Sequence, residues 1–104
     1  MDSPSYIDDP VYYKQLIAKI NTTVNFPSYL IQKEYELVQQ STGSMEFKNE
    51  TDRIVLRTGR DPMTYFNRND SLDKGQFFKF LMHRSPNFYS AVQVGLEIIG
   101  LDHE

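Results

Sequence analysis

Apolar residues enter the chain at helical spacing: Tyr13, Leu16, Ile17, Ile20 and Val24 follow an i, i+3, i+4 rhythm. Asp9-Pro10 stands just ahead of them, a capping residue followed by a first-turn proline, so the spacing predicts a helix from there to about Thr22. Asn25-Phe26-Pro27 predicts a second, short helix with Phe26, Tyr29 and Leu30 on one side. From Tyr35 the period shortens to two. Tyr35-Glu36-Leu37-Val38-Gln39, Met45-Glu46-Phe47-Lys48 and Arg53-Ile54-Val55-Leu56-Arg57 read as strands separated by turn-rich segments. The third is the clearest, with Ile54 and Leu56 on one face and Arg53, Val55 and Arg57 on the other.

Gly59-Arg60-Asp61-Pro62 reads as a turn into Met63-Thr64-Tyr65-Phe66, completing an antiparallel meander. Asn67 to Lys74 is polar and turn-forming, and Gly75 to Met82 is predicted helical, with Asp73 and Gln76 placed as a capping box. A last helix is expected over about Phe88 to Ile99, capped by Gly100, with Gly95 marking a close approach of another element. Helices, strands and helices in that order predict an α+β fold, an antiparallel sheet of three to four short strands flanked by N- and C-terminal helices. One domain over residues 1–104 is expected, with 1–9 flexible.

Composition narrows the function classes. A chain of 104 residues holds one modest core, and seven Tyr and seven Phe supply enough apolar surface to fold it. With no Cys, disulfides, thiolate catalysis and Cys-ligated zinc are excluded. The first residues, Met1 to Tyr6, carry neither a basic start nor an apolar core of a signal segment, and no apolar run is long enough for a membrane span, so a cytoplasmic location without membrane partners is expected. The net charge of −3 conceals an uneven distribution. Residues 1–52 hold four Lys against eight Asp or Glu (net −4), whereas 53–84 hold seven Lys or Arg against three Asp (net +4).

Catalytic and cofactor patterns are missing. His83 and His103 have no second ligand at metal spacing, and the glycines at 43, 59 and 75 are too isolated to cradle a phosphate. Asn67 to Phe78 has the alternating polar residues of a calcium loop but Leu72 and Phe78 where the glycine and bidentate Glu belong. No nucleophile elbow occurs, so no enzyme, metal or cofactor is expected. What remains is the cationic centre: Arg53, Arg57, Arg60, Arg68, Lys74, Lys79 and Arg84, interleaved with Tyr65 and Phe66. Cations that track phosphates beside rings that stack on bases suit single-stranded nucleic acid. The competing reading is a solvated sheet face, and strand alternation requires either Tyr65 or Phe66 to point inward.

Tyr65-Phe66-Asn67-Arg68, then Lys74-Gly75-Gln76-Phe77-Phe78-Lys79-Phe80-Leu81-Met82, then Asn87-Phe88-Tyr89-Ser90-Ala91-Val92 resemble the C-terminal half of the Cys-His-Cys-Cys zinc-binding N-terminal domain of bacterial DNA primases. Ile20-Asn21 and Tyr29-Leu30 extend the likeness over about residues 20–101. Residue by residue, the family's four ligands fall on Met45, Lys48, Tyr65 and Arg68, none of which binds zinc here, so the resemblance implies a degenerate, metal-free version. It further implies a DNA-recognition accessory of a primase-like protein, such as those of mobile elements, acting in DNA replication. Such a domain works beside a toprim or helicase domain in cis or trans. The interface residues expected are Arg53, Arg57, Arg60, Tyr65, Phe66, Arg68 and Lys74, and the ligand single-stranded or primer-template DNA. The alternative is a protein-interaction module that keeps the fold without binding nucleic acid.

Overall fold

In the computed structural model, which describes residues 10–100, the first apolar rhythm becomes α1 (Pro10–Thr23). Its Ile20 is fully buried, and Tyr13, Leu16 and Ile17 pack against the core from the same side. Asp9 and the segment 1–9 lie outside the described residues. α2 (Phe26–Gln32) starts as the sequence predicts, with the Asn25 side chain accepting a hydrogen bond from the Ser28 amide and Pro27 in the first turn. It ends in a Schellman motif: the Tyr35 amide donates to the Leu30 carbonyl and the Glu34 amide to that of Ile31. Tyr35 and Leu30, the two residues such a motif brings together, are both buried. The left-handed position is held by Glu34 at φ +69°, where a glycine would ordinarily stand.

Five strands follow: β1 (Glu36–Ser41), β2 (Ser44–Lys48), β3 (Arg53–Arg57), β4 (Thr64–Asn67) and β5 (Asp70–Gln76). Each pairs antiparallel with its sequence neighbour, so the sheet order is β1-β2-β3-β4-β5. The expected class is thus observed, with one strand more than the three to four anticipated. The extra strand is β5, in the segment expected to turn and cap a helix. Its inward positions are occupied by Asp73 and Gly75 while Leu72 is 81% exposed, so it lacks the apolar alternation by which strands are recognised. α3 (Phe77–His83) therefore begins later than predicted, and its first residue is preceded by Gln76 with no side-chain capping bond. The Phe78 amide is instead satisfied by the Asn21 side chain of α1 at 2.8 Å.

α4 (Phe88–Ile99) spans the predicted residues, capped by Asn87 accepting from the Ser90 amide and by Gly100 at φ +80°. Gly95 does mark a close approach: a Cβ there would lie 2.5 Å from Ile20 Cδ1 of α1. Phe47, Ile54, Leu56 and Tyr65 project from one face of the sheet into a cluster with Phe26 and Leu30 of α2, Phe77 and Phe80 of α3 and Ala91 and Val92 of α4. Phe26 sits at its centre, edge-on to Tyr65, Phe77 and Phe80 at centroid separations of 4.9–5.7 Å. The described helices all contribute to this one layer, and among the described residues no helix lies on the opposite face of the sheet.

Glu34→Gly relieves a left-handed residue that carries a Cβ, a conformation costing about 1 kcal/mol for most L-residues. Chemical denaturation of the variant is expected to show stability higher by roughly 0.5–1 kcal/mol, less the added freedom of the unfolded glycine.

Candidate functional site

The register sorts the sequence-predicted interface residues into two sets. Across the uncovered face, Gln39, Glu46, Val55, Phe66 and Lys74 stand side by side on β1 to β5. The flanking row on one side is Ser44, Arg57, Thr64 and Gln76. On the other side lie Glu36, Lys48 and Arg53, with Arg68 next to Arg53 through a bond from the Arg68 amide to the Arg53 carbonyl. Five cations thus share this face with one aromatic ring. The Arg57 and Arg68 guanidinium carbons lie 5.7 and 5.6 Å from the Phe66 centroid, within cation–π reach. Arg57, Thr64, Phe66, Lys74 and Gly75 line a shallow groove of about 570 Å³.

Two expected residues are not in this group. Tyr65 points the other way: it is 3% exposed, and its hydroxyl donates to Asp73 inside the fold. Strand alternation puts neighbours on opposite faces, and Phe66 takes the outer one. Arg60 is exposed in the β3–β4 connection and lines a different cleft, with Asn21, Thr22 and Met63. Lys79 packs its stem over Gly75, and Arg84 is drawn into the interior polar cluster described below.

Sequence reasoning did not find Glu46. This acid lies in the middle of the cationic face, 8% exposed, with Oε2 2.5 Å from Arg53 Nε and Oε1 3.4 Å from Arg68 Nε. Burial alone would raise its pKa, but the two guanidiniums outweigh burial and hold the carboxyl below its usual range. An isolated Glu in a strand gives no sequence signal. Only the register shows that both arginines converge on it.

Behind the sheet lies a second polar cluster, centred on Arg84. Its Nη2 is 2.6 Å from Asp73 Oδ2 and 2.8 Å from Asp52 Oδ2, and its guanidinium carbon stands 3.7 Å from the Phe80 centroid. Tyr35 donates to Asp52 and Tyr65 to Asp73, while the Asn67 amide donates to both carboxylates at 3.1 and 3.0 Å. Desolvation raises both tyrosines, Tyr35 to about 12, and their acceptor carboxylates add to the effect. For Asp52 and Asp73 desolvation acts upward too, but Arg84 and the tyrosine donors dominate, and both carboxyls are held low.

The four positions onto which the primase ligands map do not meet. Met45 and Tyr65 flank Leu56 on the core face, whereas Lys48 and Arg68 are exposed on the outer one. No single ion could touch all four. Among the described residues, no group of three or more His, Asp or Glu side chains is placed to hold a metal ion, and no helix is long and apolar enough to cross a membrane. Comparison with models of known families, with curated proteins and with solved structures finds no match.

The Arg84 cluster makes stability depend on pH in a definite direction. Carboxyls depressed in the folded state stabilise it fully above their unfolded value of about 4, and that contribution disappears as pH falls through the folded value. Urea midpoints are expected to hold from neutral pH to about 5 and to drop steeply below 4. Asp73→Asn leaves the Arg84 side chain, itself 26% exposed, with Asp52 alone. It is expected to lose about 3 kcal/mol at neutral pH and to show a flatter acid limb.

Proposed function

We propose that this chain is a non-catalytic accessory domain that takes single-stranded or primer-template DNA on the uncovered face of its sheet. The observation that carries the reading is the gathering of Lys48, Arg53, Arg57, Arg68 and Lys74 on the face that presents Phe66, a surface no described helix occupies. In a chain of net charge −3, the strand rows of that face hold only Glu36 and Glu46 as acids among the described residues. Such a surface can follow a flexible phosphate backbone while a base lies on the ring or on a flanking guanidinium plane. A catalytic role has less support: Asp52 and Asp73 are committed to Arg84, and His83 is hydrogen-bonded to Asp70 at the surface.

The primase resemblance adds the context. On that reading the domain recognises template for a toprim or helicase domain in the same or another chain, in cytoplasmic DNA replication of a mobile element. The degenerate ligand positions agree with a lineage that exchanged a metal for packed side chains, since Met45 and Tyr65 both join the core. A protein-interaction role is favoured by a different feature: Pro27, Ile31, Leu37, Met45 and Phe47 line an apolar groove beside β1, the end strand of the sheet, with Ile31 54% exposed.

Binding of a fluorescent oligothymidylate across a salt series tests the first reading. Two to four phosphate contacts predict log K falling with log salt at a slope of about −1.5 to −3. Phe66→Ala is expected to weaken binding by about 1–3 kcal/mol with the melting temperature little changed. No binding at low salt would remove the reading and leave the apolar groove as the functional surface.

A further inference from the structure

Arg53 and Arg68 differ from the other cations of the open face in how they are held. Both approach the same carboxylate, Glu46, and both do so through Nε. A guanidinium has five donors, and the Nε contact occupies one edge of the plane and leaves the end-on edge, one N–H from each Nη, directed away from Glu46. Among the described residues no acceptor is bonded to the Nη atoms of either one. Their side chains are 46% and 55% exposed, while Glu46 keeps only 10% of its side-chain surface. A buried anion at the base thus fixes two planar cations from below and leaves their donor edges towards solvent. Lys48 flanks Arg53 in the same cross-strand row, and Glu36, also an acid, lies one strand further out, opposite Lys48.

We infer that Arg53 and Arg68, oriented by Glu46, form a clamp for one backbone phosphate, adjoining Phe66 as the seat of the neighbouring base. This deepens the DNA-binding reading and rests on it. Planar guanidiniums match phosphate oxygens in pairs, and holding them in advance removes part of the entropy otherwise lost on binding. Arg68 also stands 5.6 Å from the Phe66 centroid, so the clamp and the ring are immediate neighbours, within the span of a single nucleotide. Arg57 and Lys74, on the far side of Phe66, have no carboxylate partner among the described residues and act as loose counter-charges for the adjoining phosphate. Glu46 is a positioning residue, and the two arginines are the groups that touch the ligand.

The charge-conserving double variant Arg53→Lys/Arg68→Lys separates a built clamp from a diffuse positive surface. The probe is the same oligothymidylate, with circular dichroism melting to verify the fold. Wild type is expected to bind, and the double variant to bind about tenfold more weakly at an unchanged salt slope, because the charge count is kept while the paired geometry is lost. Wild-type binding with a loss under about twofold overturns the clamp and leaves the sheet-face reading standing. Absence of wild-type binding overturns both. For Glu46 the readout is the Arg53 Nε–H resonance, expected to exchange slowly with water in the wild type and rapidly in Glu46→Ala. Equal exchange in the two proteins removes the positioning role.

Discussion

The Arg84 guanidinium is the point at which this fold is tied. It reaches Asp52 in the turn before β3 and Asp73 on β5 while standing over the ring of Phe80 of α3, so a loop, an edge strand and a helix share one cation. Lysine could not serve, because the site uses two nitrogens, a planar face and a charge that survives desolvation. The two carboxylates would be costly to enclose with a single partner, and Tyr35, Tyr65 and Asn67 supply the further donors that each requires. Asn67 goes on to accept from the Arg53 and Asn69 amides, which fixes the end of β4 and the tight connection into β5. The core would still be apolar without this cluster, but the last strand would have little to set its register.

This arrangement also shapes the other side of the sheet. Asp52 and Asp73 are satisfied by partners within the fold, so these two acids contribute little field on the open face. Across that face the sum is positive although the chain as a whole is acidic. Average charge is therefore a poor guide to this molecule. The relevant quantity is which acids are matched inside and which cations are left outside.

Most of the framework is visible in the residues. α1, α2, β3 and α4 announce themselves through periodicity and through caps at Asn25 and Gly100, because in these elements local preference and tertiary packing agree. β5 is hidden because its buried position is a carboxylate, so the cue for a strand is replaced by one for a turn. The outer face was half legible: alternation on β3 puts Arg53 and Arg57 together, and a choice between Tyr65 and Phe66 was foreseeable though not its outcome. Glu46 and Arg84 were beyond reach. Their roles are defined by partners 7 to 32 residues away, at distances along the chain that no local pattern encodes.

The meander order carries a consequence of its own. Since every strand is hydrogen-bonded to its neighbour in sequence, the sheet can assemble hairpin by hairpin without first closing a long loop. Topologies of low contact order fold quickly, and here the distant ties, Asn21 to Phe78 and Asp52 to Arg84, are side-chain bonds that can lock after the strands have paired. A nascent chain leaving the ribosome would have all five strands made before α3 arrives to cover the aromatic layer. During that interval Phe47, Ile54, Leu56 and Tyr65 stand open to water, which makes the two C-terminal helices the step that ends its exposure to aggregation.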